Sequence, residues 1–284
     1  MHHFTTLIDA NTLSEQISRE DLLLLDCRFD LGNTQWGEAE YARAHLRGAI
    51  YLHLDRDMSS PVTANSGRHP LPQPEQFAAR LAGLGANPGC QVIAYDQGNA
   101  AYAARLWWLA RWIGLRNVAV LDGGIAAWRA AGLPLETEVR TPKPGALPMS
   151  LAADAWVSSE TVDELRLRPG NLLIDARGAE RFAGRNETLD AVAGHVPGAR
   201  NRPFLENLGA DGRFLPAEVL RQRFSTLLGS VAPSAVMAMC GSGVTACHNL
   251  LALEHAGLPG GRLYAGSWSE WIRDPRRPIA TGAY

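Results

Sequence analysis

The chain has 284 residues, 46% of them hydrophobic and 20% charged, which is long enough for two globular domains and excludes a disordered or fibrous protein. Lys and Arg total 27 and Asp and Glu 29, a net charge of -2, so no overall field recommends nucleic acid or a membrane surface as a partner. The four cysteines, Cys27, Cys90, Cys240 and Cys247, form no CxxC pair and no regular spacing, which argues against a disulfide scaffold and a zinc site and points to a reducing cytoplasm.

The opening run Met1-His2-His3-Phe4 has no basic segment followed by an apolar core, so no signal peptide is expected. The first apolar strand, Leu22 to Leu25, ends on Asp26-Cys27-Arg28, and the turn His45-Leu46-Arg47-Gly48-Ala49 follows. A second strand is predicted from Val92 to Tyr95, closed by Asp96, and then a helix from Ala100 to Ile113 stopped by Gly114. Its most apolar part, Leu106 to Leu115, contains Arg111 and is too short to span a bilayer. Leu121-Asp122-Gly123-Gly124 and Trp128 close this half, and the proline-rich run Thr141 to Pro148 reads as an extended linker around one domain.

The second half repeats this order after about 145 residues, too long for a solenoid and right for a duplicated domain. Leu172 to Ile174 ends on Asp175-Ala176-Arg177, and His195-Val196-Pro197-Gly198-Ala199 restates the turn. The strand Ala235 to Met239, the helix Val244 to Ala256 stopped by Gly257, and Tyr264-Ala265-Gly266-Ser267 with Trp271 complete the match. Ser267 and Glu270 have the spacing of a capping box, so a helix is predicted to start on Ser267. Short apolar strands alternating with helices give an α/β fold, a mostly parallel sheet with helices on both faces, once per half.

Where the first half has Asp96, the second has Cys240, followed by Gly241-Ser242-Gly243-Val244-Thr245-Ala246. The two glycines let the backbone curl so that several amide N–H groups point at one centre, and the helix start adds its partial positive charge, which favours a thiolate. The bland alternative is a buried structural cysteine. A cysteine phosphatase would need an Arg six positions after its Cys, and Ala246 stands there. A short, uncharged loop fits one added sulfur atom better than a tetrahedral phosphate. Asp96 can satisfy the same amides and cannot carry sulfur. Cys247 reads as a core residue rather than a resolving thiol.

Both Asp-x-Arg and His-x-x-Gly-Ala motifs, Leu121-Asp122-Gly123-Gly124 and above all Cys240 to Ala246 give a chain that resembles the two-domain rhodaneses, the thiosulfate and 3-mercaptopyruvate sulfurtransferases, over nearly its whole length. The resemblance implies two tandem rhodanese-like domains: residues 1–140 without the nucleophile, a linker over 141–155, and a catalytic domain over 156–284. It implies that Cys240 takes a sulfane sulfur from a small anionic donor, holds it as a persulfide and passes it to cyanide or a thiol, with no cofactor and no metal. Ser242 joins Cys240 as a catalytic residue, a hydroxyl for a proton relay, and Gly241, Gly243, Val244 and Thr245 form the binding loop.

The neutral loop is similar to the 3-mercaptopyruvate form, since thiosulfate enzymes typically carry basic residues after the Cys; thiosulfate remains the alternative donor, and a non-enzymatic persulfide carrier the alternative role. Arg181 matches the family's arginine for the donor anion, against a surface pairing with Glu180 or Glu187. A second arginine that mercaptopyruvate enzymes carry has no counterpart in the stretch Arg185 to Asp190, where Arg185 is the partial substitute. His45 matches a histidine that can meet the loop serine; because His195 holds the same place in the other half, the alternative is that both pin a turn. Asp26, Arg28, Asp175 and Arg177 read as paired strand-end residues.

Overall fold

The computed structural model describes residues 3–282, so Met1 and His2 of the N-terminal reading lie outside the described residues. In the first unit the strands are β1 (Leu7–Ile8), β2 (Leu22–Asp26), β3 (His45–Leu46), β4 (Ile50–Tyr51), β5 (Gln91–Tyr95), β6 (Val118–Leu121) and β7 (Leu135–Glu136). Five of them form a parallel sheet in the order β1-β6-β5-β2-β4, while β3 and β7 make a small antiparallel pair. Side chains alternate across a strand. Leu22, Leu24, Ile93, Tyr95, Ala119 and Leu121 thus share one core with Leu13, Ile125 and Trp128. The intervening Leu23, Leu25, Val92, Ala94, Val118 and Val120 are buried as well, so both faces of the sheet are covered.

The second unit has β8 (Trp156–Val157), β9 (Leu172–Asp175), β10 (Arg200–Asn201), β11 (Val236–Met239) and β12 (Arg262–Tyr264), all parallel, in the order β10-β9-β11-β12-β8. Read from the other edge, this is the order of the first sheet, strand for strand. The duplication extends to the anchors. Trp128 and Trp271 are fully buried, and each donates its indole N–H to a proline carbonyl at 2.9 Å, Pro134 and Pro278 respectively. Arg28 forks onto Asp26 and donates to the Ala44 carbonyl at 2.8 Å; Arg177 forks onto Asp175 and donates to the Gly194 carbonyl at 2.8 Å. Each pair therefore ties a strand end to the residue that precedes a His-x-x-Gly-Ala turn.

Compactness divides the chain differently from a cut at the linker. The first unit comprises residues 1–60, 71–152 and 210–214, and the second comprises 61–70, 153–209 and 215–284. Residues 137–152 have no regular structure and lie along the first unit, where Gly145 donates to the Ala82 carbonyl at 2.7 Å and Ser150 to that of Ile113 at 3.0 Å. Among the described residues no helix is long and apolar enough to cross a membrane.

One expected cap is not formed. The helix Ser267–Trp271 begins where the sequence suggests, but Ser267 lies inside it, with a left-handed φ of 54°, and no side chain caps the helix. Its hydroxyl donates instead to the Tyr264 carbonyl at 2.8 Å, and Glu270 accepts from the Tyr264 hydroxyl at 3.3 Å. Gly124, at the same place in the first half, has φ 55°. The repeat thus dictates a backbone that costs a serine more than a glycine.

Candidate active site

Cys240 follows β11, the central strand of the second sheet, at its carboxyl end, where parallel α/β sheets open their crevices. The start of the last helix pins the loop. Cys240 N–H donates to Ser267 Oγ at 3.0 Å, and the carbonyls of Cys240 and Gly241 accept from the amides of Trp268 and Ser269 at 3.0 and 2.9 Å. This is what the unusual backbone at Ser267 secures. Gly243 has φ 77°, and a β-carbon there would lie 2.3 Å from the Ala265 carbonyl oxygen, so only glycine fits. Its amide N–H points at Cys240 Sγ, 3.1 Å away.

The carbonyls of Val244 and Thr245 accept from the amides of Cys247 and His248, so the loop passes directly into the helix Ala246–His255, whose positive end follows the sulfur. Cys247 is buried, and its thiol donates to the Gly243 carbonyl at 3.3 Å. Burial pushes the thiols of Cys27 and Cys90 up in pKa, which makes them poor nucleophiles.

Ser242 meets an imidazole. His69 Nδ1 lies 2.7 Å from Ser242 Oγ, both side chains buried; which atom donates depends on the imidazole tautomer. His69 belongs to the segment Pro61–Pro70 of the second unit. A β-carbon on Gly67 would lie 2.5 Å from the Gly266 carbonyl, and Arg68 N–H donates to Ser269 Oγ at 3.0 Å, so the segment rests on the same helix start that pins the cysteine loop.

Two guanidinium groups stand over the loop. A β-carbon at Gly241 would lie 2.8 Å from Arg68 Nη2 and 3.5 Å from Arg181 Nη2, so both guanidinium tips reach the loop backbone at this position. Arg181 Nε donates to both Glu187 carboxylate oxygens at 3.0 and 3.1 Å, and its Nη2 donates to Asp190 Oδ2 at 3.1 Å. Arg68 Nη1 donates to Asp190 Oδ1. Burial pushes the Asp190 carboxyl up against the pull of Arg68. Burial also works on Glu187, but the bonds from Arg181 and the Leu189 and Asp190 amides outweigh it and hold that carboxyl below the ordinary range.

The rhodanese-like domain model matches residues 9–131 and again 158–274. The chain belongs to the rhodanese-like family, as a two-domain sulfurtransferase. It is 50% identical over 278 residues to a probable 3-mercaptopyruvate sulfurtransferase of Pseudomonas aeruginosa, covering 97% of this chain and 98% of that one. It is 38% identical to a putative thiosulfate sulfurtransferase of Mycobacterium tuberculosis, with 97% of each chain covered. Among solved structures it resembles the 3-mercaptopyruvate sulfurtransferase of Leishmania major, with a TM-score of 0.84, 32% identity and coverage of 95% of this chain and 76% of that one. The Escherichia coli 3-mercaptopyruvate enzyme gives a TM-score of 0.81 at 32% identity, over 94% of this chain and 100% of that one.

Within this sulfurtransferase the structure gathers Cys240, Gly241, Ser242, Gly243 and Arg181 at one place, with Val244 and Thr245 leading into the helix. The expected role of His45 is corrected. Its ring stacks on Tyr41, and its two nitrogens lie 2.7 and 3.1 Å from the carbonyl oxygens of Tyr41 and Glu138, so it pins its turn as His195 does on Phe182, and the imidazole on Ser242 is that of His69. Arg185 is corrected as well: it forks onto Glu180 with its side chain 56% exposed, and the second guanidinium at the loop comes from Arg68. Gly67-Arg68-His69 recurs one repeat period later as Gly212-Arg213-Phe214, with a phenylalanine where the histidine stands. Its signals in the sequence are that recurrence and two chemistry-bearing side chains set between a glycine and a proline.

Proposed function

We propose that this sulfurtransferase takes its sulfur from 3-mercaptopyruvate and carries it as a persulfide on Cys240, with thiosulfate as the lesser donor. The observation that carries the reading is the Ser242–His69 pair beside the nucleophile. When the Cys240 thiolate attacks the donor thiol, the new S–S bond forms as the C–S bond breaks, and the electron pair leaves with carbon as the enolate of pyruvate. That leaving group needs a proton. Ser242 can give one and recover it through His69, the net proton coming from the donor thiol. Thiosulfate makes no such demand, because the pair from its broken S–S bond leaves on sulfite, a stable dianion.

Arg68 and Arg181 supply charge-assisted contacts for the donor's anionic group, and the Gly243 amide supports negative charge on the sulfur. In the second half-reaction cyanide or a thiolate attacks the outer sulfur, and the S–S pair returns to Cys240. The four unbridged cysteines suit a reducing cytoplasm.

The test is steady-state kinetics with both donors at fixed cyanide, with intact mass read after donor is added alone. Wild type is expected to gain the mass of one sulfur and to favour mercaptopyruvate in kcat/KM; Cys240→Ser is expected to lose adduct and turnover. Sulfur retained on the Ser variant would remove Cys240 from the role, and a higher kcat/KM for thiosulfate would overturn the choice of donor.

A further inference from the structure

Over the cysteine loop the guanidinium groups suited to a donor anion are already engaged by a carboxylate of the chain itself. Asp190 places one oxygen on Arg68 and the other, at 3.1 Å, on Arg181, the bridging position that the carboxylate of a keto acid would take between the same two cations. The Asp190 side chain is 3% exposed, whereas those of Arg68 and Arg181 are 28% and 23% exposed, so the cations keep access to solvent while the internal anion is buried. Glu187 adds a second carboxylate to Arg181, and its side chain is buried to the same degree. The four groups sum to no net charge. Arg177, the next cation, is matched by Asp175, and its Nη1 also lies 3.5 Å from Glu187.

We propose that Asp190 is a selectivity residue for the sulfur donor: by neutralising the Arg68–Arg181 pair, it leaves enough attraction for a singly charged keto acid and too little for doubly charged thiosulfate. This rests on the reading of the loop as the donor site. The physical ground is that a charge on Asp190 repels a dianion with twice the energy it applies to a monoanion at the same place. Energies that double become fold-changes that square. Removing the charge therefore favours both donors and favours thiosulfate more. A neutral loop after the cysteine discriminates through what it lacks, whereas Asp190 discriminates through a buried anion paired with the binding cations.

The experiment measures kcat/KM for 3-mercaptopyruvate and for thiosulfate, at fixed cyanide and low salt, on wild type and on Asp190→Asn. Asparagine keeps the size of the side chain and removes its charge. Both Michaelis constants are expected to fall, by about tenfold for mercaptopyruvate and about a hundredfold for thiosulfate, so that the ratio of specificity constants moves about tenfold toward thiosulfate. The ratio comes from one preparation, so any unfolded fraction cancels. Glu187→Gln removes a charge from the same group of four and leaves the Asp190 carboxylate in place, although the Asp190 amide donates to Glu187 at 3.1 Å, and is expected to shift the ratio in the same direction. A ratio unchanged within about twofold in both variants, or moved toward mercaptopyruvate, would show that Asp190 only braces the 185–190 loop. A wild type that transfers sulfur from neither donor would overturn the proposal together with the reading of the site. Turnover by wild type with a fixed ratio would overturn the role of Asp190 alone.

Discussion

His69 and Ser242 differ from the other polar residues at the site because only one of the two candidate donors needs them. An enolate leaving group must be protonated as the C–S bond breaks, and a positioned acid contributes on the order of a hundredfold to ten-thousandfold. Sulfite leaves without a proton. His69→Ala is therefore expected to lower kcat for mercaptopyruvate about a hundredfold or more and to leave turnover of thiosulfate within several-fold. Steady-state kinetics on both donors checks it, and an equal loss on both would mean that His69 serves only to hold the loop. The sequence singled out Ser242 because it lies inside a motif. It pointed to His45 rather than His69 because His45 stands in a repeated turn, whereas the partner of Ser242 lies 173 residues away in a segment without regular structure.

At the scale of elements, β5 and β11 are the same strand in two copies, and the loops after them put one backbone to two uses. After β11 the loop amide of Gly243 points at a sulfur. After β5 the Asp96 carboxylate accepts from the amides of Gly98, Ala100, Tyr102 and Ala103 at 2.9 to 3.2 Å, closing the loop on itself. Burial pushes this carboxyl up in pKa, and the four N–H groups offset part of that. An asparagine has one carbonyl oxygen for those four donors and turns its own N–H groups toward two of them. Asp96→Asn is expected to cost about 2 to 4 kcal/mol of stability while leaving turnover per folded molecule within several-fold. Urea denaturation beside kinetics separates the two quantities; a loss of turnover in a protein that still unfolds at the wild-type midpoint would give the first loop a part in the reaction.

The strands and this pairing of loops were legible because apolar runs, closing acids and glycine stops are local signals. The cap at Ser267 is not legible because a capping-box spacing is local too, while the bonds that claim its hydroxyl come from Tyr264 and from Cys240, 27 residues upstream.

For the whole molecule, two copies of one fold in a line would give two self-contained halves, and the chain does not divide that way. Residues 61–70 belong to the second unit and residues 210–214 to the first, where Phe214 N–H donates to Asp122 Oδ1 at 2.8 Å. No linker composition marks these exchanges, since each is a short stretch inside one half whose contacts lie far along the chain, and boundaries drawn from the repeat pass over them. The exchange has a chemical content. Of the side chains gathered over the cysteine loop, Arg68 and His69 come from the half that lacks the nucleophile. Replacing residues 61–70 in the full chain by a Gly/Ser run of equal length removes both, and also frees Ser269 and Gly266 from the backbone packed on them. The loss should exceed that of His69→Ala, because one charge-assisted contact to the donor goes as well, worth about 1.5 to 3 kcal/mol, or roughly ten- to more than a hundredfold in affinity. The expected result is a kcat/KM for mercaptopyruvate at least about tenfold below that of His69→Ala, with a raised Michaelis constant for both donors, in a protein whose circular dichroism is unchanged. If the replacement and His69→Ala coincide in kcat/KM, Arg68 contributes nothing to donor binding, and the anion is held by Arg181 alone.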